Sequence, residues 1–127
     1  MSKVLIVDDD ASMQSLYQRI FQLEGFTVDV AKSGTEGLEK AAATPQPDII
    51  LLDMMMPVVN GIEVLEKIKA DSATSKIPVI VMSNYSELNI TARATQLGAS
   101  YYLIKSNTEP ASVMEMVRGV LAKTSAQ

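Results

Sequence analysis

The sequence predicts an α/β fold, a doubly wound five-stranded parallel sheet in a three-layer sandwich. Three observations predict it. Five short apolar, β-rich runs alternate with five amphipathic stretches along 127 residues, and such alternation builds a parallel sheet covered on both faces. Right-handed crossovers then place helices on each side. Four of the runs end in residues that can carry chemistry: Asp8-Asp9, Asp53, Ser83 and Lys105. In an α/β sheet those ends share one edge, where such folds bind ligands.

The elements follow in order. Val4 to Val7 is continuous and apolar, as a strand buried on both faces must be. Met13, Leu16, Tyr17, Ile20, Phe21 and Leu23 fall close to helical spacing, and Gly25 stops that helix. Thr27 to Ala31 is a short second strand, followed by a helix from about Thr35 to Ala43 that ends before Thr44-Pro45. Asp48 to Leu52 is the most apolar strand and reads as central. A loop at Pro57 to Gly61 leads into a third helix, Gly61 to Ala70, with Ile62, Val64, Leu65 and Ile68 apolar. Pro78 to Met82 is the fourth strand, Glu87 to Leu97 the fourth helix and Tyr101 to Ile104 the fifth strand. The last helix, Pro110 to Lys123, turns Val113, Val117, Val120 and Leu121 inward. Residues 1–123 thus read as one domain, with Thr124 to Gln127 as a frayed tail.

Composition narrows the function. The chain is 47% hydrophobic and 20% charged, which is globular, and its net charge of −4 argues against direct nucleic-acid binding, which needs a basic face. There is no cysteine, hence no disulfide framework, and a reducing cytoplasm is the expected setting. No apolar run is long enough to span a bilayer, and Met1-Ser2-Lys3 leads into a strand without a signal-peptide layout. There is no histidine, which excludes His-based acid–base catalysis and His metal ligation; if phosphate moves onto this chain from a phosphohistidine, that histidine belongs to another molecule.

The strand ends supply three carboxylates, a hydroxyl and an ammonium. Adjacent Asp8 and Asp9 repel each other unless a cation sits between them. Mg²⁺ fits, because it takes oxygen ligands and keeps several waters. One acid of Asp8-Asp9-Asp10 suffices to cap the following helix; three in a row exceed that need. Asp53 is the candidate nucleophile, since a carboxylate can accept a phosphoryl group as an acyl phosphate. Ser83 and Lys105 can bind the oxygens of such a group. Singly they would be an ordinary strand-end serine and a solvated lysine; their convergence with the carboxylates gives them weight. Tyr102 and Tyr101 face opposite ways by strand alternation, and packing alone accounts for most strand aromatics. Met54, Met55 and Met56 read as core and loop filler.

On these motifs the chain resembles a response-regulator receiver domain of the single-domain, chemotaxis-regulator-like type, with a (βα)5 flavodoxin-like fold. The matching pieces are V-L-I-V-D-D at 4–9, D-M-M-M-P-V-V-N-G at 53–61, P-V-I-V-M-S at 78–83 and L-G-A-S-Y-Y-L-I-K at 97–105. The resemblance implies a phosphorylation-controlled switch of two-component or phosphorelay systems, which catalyses its own phosphorylation and dephosphorylation. Asp53 would be the phosphoacceptor. Asp8, Asp9, Asp53 and the backbone carbonyl of Met55 would hold Mg²⁺. Ser83 and Lys105 would bind the phosphoryl group, and Tyr102 would turn inward as Ser83 shifts.

The implied partners are a histidine kinase or phosphotransfer protein as donor and a protein target on the face of the fourth helix, fifth strand and fifth helix. A phosphorylation-dependent homodimer stays open. Two positions depart from the common pattern. Ser106 stands where a proline often follows the lysine, and the switch hydroxyl is serine where threonine is also common. Tyr85 is bulky enough to shield an acyl phosphate from water.

Other readings compete. A haloacid-dehalogenase-like phosphatase would use Asp8 of Asp8-Asp9-Asp10 as nucleophile. It needs an acidic pair after the lysine, where only Glu109 and Glu115 stand, and usually a cap insertion that this length does not allow. An unphosphorylated interaction module would not need the intact site residues. A flavin protein of the same topology would want a hydroxyl-rich loop after the first strand and a tryptophan, and the chain has neither.

Overall fold

The computed structural model describes residues 2–54, 61–83, 88–104 and 108–125. Five strands, β1 (Lys3–Val7), β2 (Thr27–Ala31), β3 (Ile49–Asp53), β4 (Val79–Ser83) and β5 (Tyr101–Ile104), alternate with five helices. The helices are α1 (Ala11–Leu23), α2 (Gly34–Ala42), α3 (Gly61–Ala70), α4 (Leu88–Gln96) and α5 (Pro110–Ser125). All pairings are parallel, and the strand order is β2-β1-β3-β4-β5. The order reverses at β1, which pairs β2 on one side and β3 on the other. That is the switch point at which open α/β sheets leave a crevice beyond their strand ends.

Strand alternation divides the core in two. Leu5, Val7, Ile50, Leu52, Val79 and Val81 face one layer, where Val64, Leu65 and Ile68 of α3, Ala41 of α2 and Ala94 of α4 meet them. Val4, Ile6, Ile49, Leu51, Ile80 and Met82 face the other, against Tyr17 and Phe21 of α1 and Val113, Met114 and Val117 of α5. Every residue of β3 and β4 is buried, which makes both interior strands, as their unbroken apolar sequence requires.

The ends of the elements differ from the sequence expectation for local reasons. Both β3 and β4 run one residue further, so Asp53 and Ser83 are themselves the last strand residues. Asp53 lies opposite Met82 and Ser83 opposite Ile104 in the ladder. Asp48 precedes β3 instead of opening it: its backbone N–H donates to Lys3 O at 2.8 Å and its carboxylate accepts from Lys3 N at 2.7 Å. Helix α2 starts at Gly34 because the Ser33 hydroxyl accepts from Glu36 N at 3.2 Å, an N-cap. Helix α5 continues to Ser125, while Ala126 and Gln127 lie outside the described residues.

The apolar positions of α1 are not all core. Tyr17 and Phe21 are buried, but Leu16 is 44% and Leu23 78% exposed. Leu23 is the last residue of α1, where the chain turns away at Gly25 (φ +91°), a conformation that favours glycine. Among the described residues, no helix is long and apolar enough to cross a membrane.

Candidate functional site

Asp8 follows β1 and Asp53 closes β3, and the two strands are paired through Val7 and Leu52. By alternation from Ile6 and Leu51, both carboxylates belong to the α1–α5 side of the sheet. Asp8 and Asp53 are each 6% exposed, and Asp9 is exposed. One carboxylate oxygen from each of Asp8, Asp9 and Asp53 lies within 4.8 Å of the others. The floor beneath is a cavity of ≈ 10 Å³ lined by Ile6, Val7, Tyr17, Leu51, Leu52 and Met82 along with the two buried carboxylates. Three anions over an apolar floor repel strongly, because low polarizability strengthens their interaction. An all-oxygen, partly open donor set of this kind fits a hard divalent cation.

The turn after β1 is built by hydrogen bonds. Asp8 N donates to Ala31 O at 3.1 Å, anchoring the turn to β2. Asp10 N donates to Asp8 Oδ1 at 2.9 Å. Asp10 is the helix cap, accepting through Oδ1 from Ser12 N at 2.9 Å and Met13 N at 3.3 Å. The three acids therefore divide their work: Asp10 caps α1, while Asp8 and Asp9 join Asp53. The Gln14 side-chain amide, buried on α1, donates to the backbone carbonyl of Asp8. Its role was not legible in the sequence, where a glutamine in a helix carries no signal.

Gly61 holds the other side of the site. Its N–H donates to Met54 O at 3.0 Å, and a Cβ there would stand 2.5 Å from both Asp53 O and Met54 Cα. Gly61 thus lies so close to the backbone of Asp53 and Met54 that only glycine fits. This gives the glycine of the D-x-x-M-P-x-x-N-G stretch a physical reason.

Ser83 is fully buried at the end of β4. By alternation from Val81 it belongs to the α2–α3–α4 side, as does half-buried Tyr102, which packs on that core. Tyr101 is 40% exposed and faces the opposite way. Lys105, Met55, Tyr85 and Ser106 lie outside the described residues. The structure therefore brings Asp8, Asp9 and Asp53 together and sets Ser83 at a neighbouring strand end with Tyr102 on the same face.

Comparison with known proteins identifies the family and the fold. The family model of the response regulator receiver domain matches residues 4–118. The chain is 35% identical over 103 residues to sporulation initiation phosphotransferase F of Bacillus subtilis, a match covering 81% of each chain. It is 33% identical to the DNA-binding dual master transcriptional regulator RpaA of Synechocystis, across 98% of this chain and 51% of that protein. The chain thus spans about half the length of the transcriptional regulators it matches. Among solved structures, chemotaxis protein CheY4 of Vibrio cholerae superposes with a TM-score of 0.86 at 28% identity, covering 94% of this chain and 98% of that one. A CheY-like receiver domain from Methanospirillum hungatei gives 0.91 at 25% identity, covering 99% and 98%. The chain belongs to the response regulator receiver domain family.

Proposed function

We propose that this receiver domain is a phosphorylation-controlled switch of two-component signalling, with Asp53 as the phosphoacceptor. The observation that carries the reading is the meeting of Asp8, Asp9 and Asp53 oxygens within 4.8 Å at the switch point of the sheet. Asp8, Asp9, Asp53 and the Met55 carbonyl would hold Mg²⁺. When bound, that ion supplies positive charge that offsets repulsion between a carboxylate nucleophile and an incoming phosphoryl group.

The chain's own residues then account for the transfer. A carboxylate oxygen of Asp53 attacks the phosphorus of a phosphohistidine on a partner kinase or phosphotransfer protein. The P–N bond breaks, the acyl phosphate forms, and the released imidazole nitrogen takes a proton from solvent. Hydrolysis reverses the charge state: water attacks the phosphorus and returns the carboxylate with free phosphate. Catalysis here is positioning and charge compensation. Ser83 donates a hydrogen bond to the phosphoryl group and Lys105 pairs with it. Tyr102, on the same face as Ser83, follows the serine, and the surface of α4, β5 and α5 passes the change to a protein partner. A cytoplasmic setting fits a chain without cysteine.

Intact mass after incubation with acetyl phosphate and Mg²⁺ tests the reading. One phosphoryl adduct is expected in the parent chain, dependent on Mg²⁺ and absent from Asp53→Asn. No adduct under quick quenching would support an interaction module that is never phosphorylated. An adduct surviving in Asp53→Asn and lost in Asp8→Asn would move the nucleophile to Asp8 and favour the phosphatase reading.

A further inference from the structure

We propose that Gln14 is a positioning residue that sets the divalent-cation affinity of the acidic site by gripping the peptide between Asp8 and Asp9. The inference rests on the reading that these acids hold a cation. Among the described residues, the buried polar or charged side chains are Asp8, Gln14, Asp53, Thr74 and Ser83. Asp8, Asp53 and Ser83 belong to the site, and the Thr74 hydroxyl donates to Ile68 O at the end of α3 at 2.7 Å. Gln14 is the remaining one, and burying an amide is costly unless it is hydrogen-bonded.

Its partner explains its place. Gln14 Nε2 donates to the carbonyl oxygen of Asp8, which belongs to the peptide unit joining Asp8 to Asp9. Rotation of that peptide plane swings the two carboxylates relative to each other. A donor fixed in the body of α1 holds the plane still. Asp10 adds a second tie, its N–H on Asp8 Oδ1 and its carboxylate on the first turn of α1. The register of α1 is thereby keyed to the geometry of two cation ligands. Groups that orient ligands from behind commonly change metal affinity by about 10–100-fold when removed.

Gln14→Met keeps the side-chain length and removes the donor. Isothermal titration with Mg²⁺ is expected to show binding about tenfold weaker than in the parent chain. Gln46→Met is the control: Gln46 Nε2 also bonds backbone carbonyls, those of Ala41 at 3.2 Å and Ala73 at 2.8 Å, but Gln46 belongs to the segment leading into the opposite end of β3. Its loss should leave Mg²⁺ affinity unchanged, which separates positioning from general loosening. In ¹⁵N-labelled parent protein, the Gln14 side-chain amide signal should move during the Mg²⁺ titration with the same midpoint as the Asp9 and Asp10 backbone amides. That measurement decides the matter if Gln14→Met does not fold. Equal affinity in Gln14→Met, or a Gln14 amide signal that ignores Mg²⁺, overturns the inference and leaves the cation site standing. A parent chain that binds no Mg²⁺ overturns the cation site and the inference with it.

Discussion

The two faces of the sheet hold the site in different ways. On the α1–α5 face, Asp8 and Asp53 sit above a core of large side chains in which Phe21 meets Phe26 edge to face at 5.4 Å. The α2–α3–α4 face holds Ser83 and Tyr102, the latter on β5 against which α4 packs; among the described side chains of α4 only Ala94 is buried. An exposed ion pair, Arg93 to Glu66 at 3.2 Å, ties α4 to α3. Exposed pairs of this kind contribute little. The acids that would bind a cation are thus fixed by packing and by hydrogen bonds from α1. The hydroxyl and aromatic that would respond to a phosphoryl group share the face that carries α4, whose described side chains are mostly exposed. A switch wants this division, because a ligand site needs fixed geometry and an output surface needs alternatives of similar free energy.

The contrast predicts unequal costs. Phe21→Ala should destabilise the chain by about 3–5 kcal/mol, the usual cost of emptying a buried phenyl site. Arg93→Ala should cost about 0.5 kcal/mol or less. Urea unfolding of the two variants measures both. Comparable losses would mean that α4 is held as firmly as α1 and would break the comparison.

Gly61→Ala comes next. Its Cβ would meet backbone atoms of Asp53 and Met54 at 2.5 Å, and backbone cannot step aside as a flexible side chain does. Overpacking of this sort costs about 1–3 kcal/mol. The strain falls on the backbone of Asp53 itself, so, if Asp53 is the phosphoacceptor, slower acetyl phosphate labelling should accompany the lower urea midpoint. A variant with lowered stability and unchanged labelling rate would show that the loop yields away from Asp53.

How much of this was legible in the sequence depends on the kind of contact. The strands were legible because continuous apolar runs such as Ile49 to Leu52 admit few other buried roles. Asp8, Asp9, Asp53 and Ser83 were legible because topology alone carries strand ends to one edge. Exposure of Leu16 and Leu23 was not, since helical spacing fixes a face but not where neighbouring helices stop covering it. The hold of Gln14 on Asp8 was hidden for a similar reason: it joins a side chain to a backbone carbonyl, and a carbonyl has no letter in the sequence. Gly61 was visible as a loop end, but the lack of room for a Cβ beside the Asp53 and Met54 backbone reflects a tertiary contact that sequence spacing does not fix.

The smallest predicted effect concerns two lysines held in opposite ways. Lys69, on α3, is partly buried, and burial pushes its ammonium below the ordinary lysine value of 10.5, although Nζ donates to Ser75 O at 3.2 Å and Ile77 O at 3.0 Å. Lys40, on α2, is raised above 10.5, first by its hydrogen bond to Asp29 and with help from Glu36. The signs follow from proton linkage. For Lys69 the unfolded chain binds more protons, so its burial cost is fully present below the lowered folded value and is relieved as pH rises toward 10.5. For Lys40 the folded chain binds more protons. Its contribution is fully present below 10.5 and is lost as pH climbs through the raised folded value. Urea midpoints of the parent chain, Lys69→Met and Lys40→Met measured from pH 8 into the alkaline range should therefore diverge in opposite directions. The parent should gain on Lys69→Met as pH approaches 10.5 and lose its advantage over Lys40→Met above it. Parallel curves for parent and Lys69→Met would mean that the α3–β4 corner is wet, and that the α2–α3–α4 face is looser than Lys69 implies.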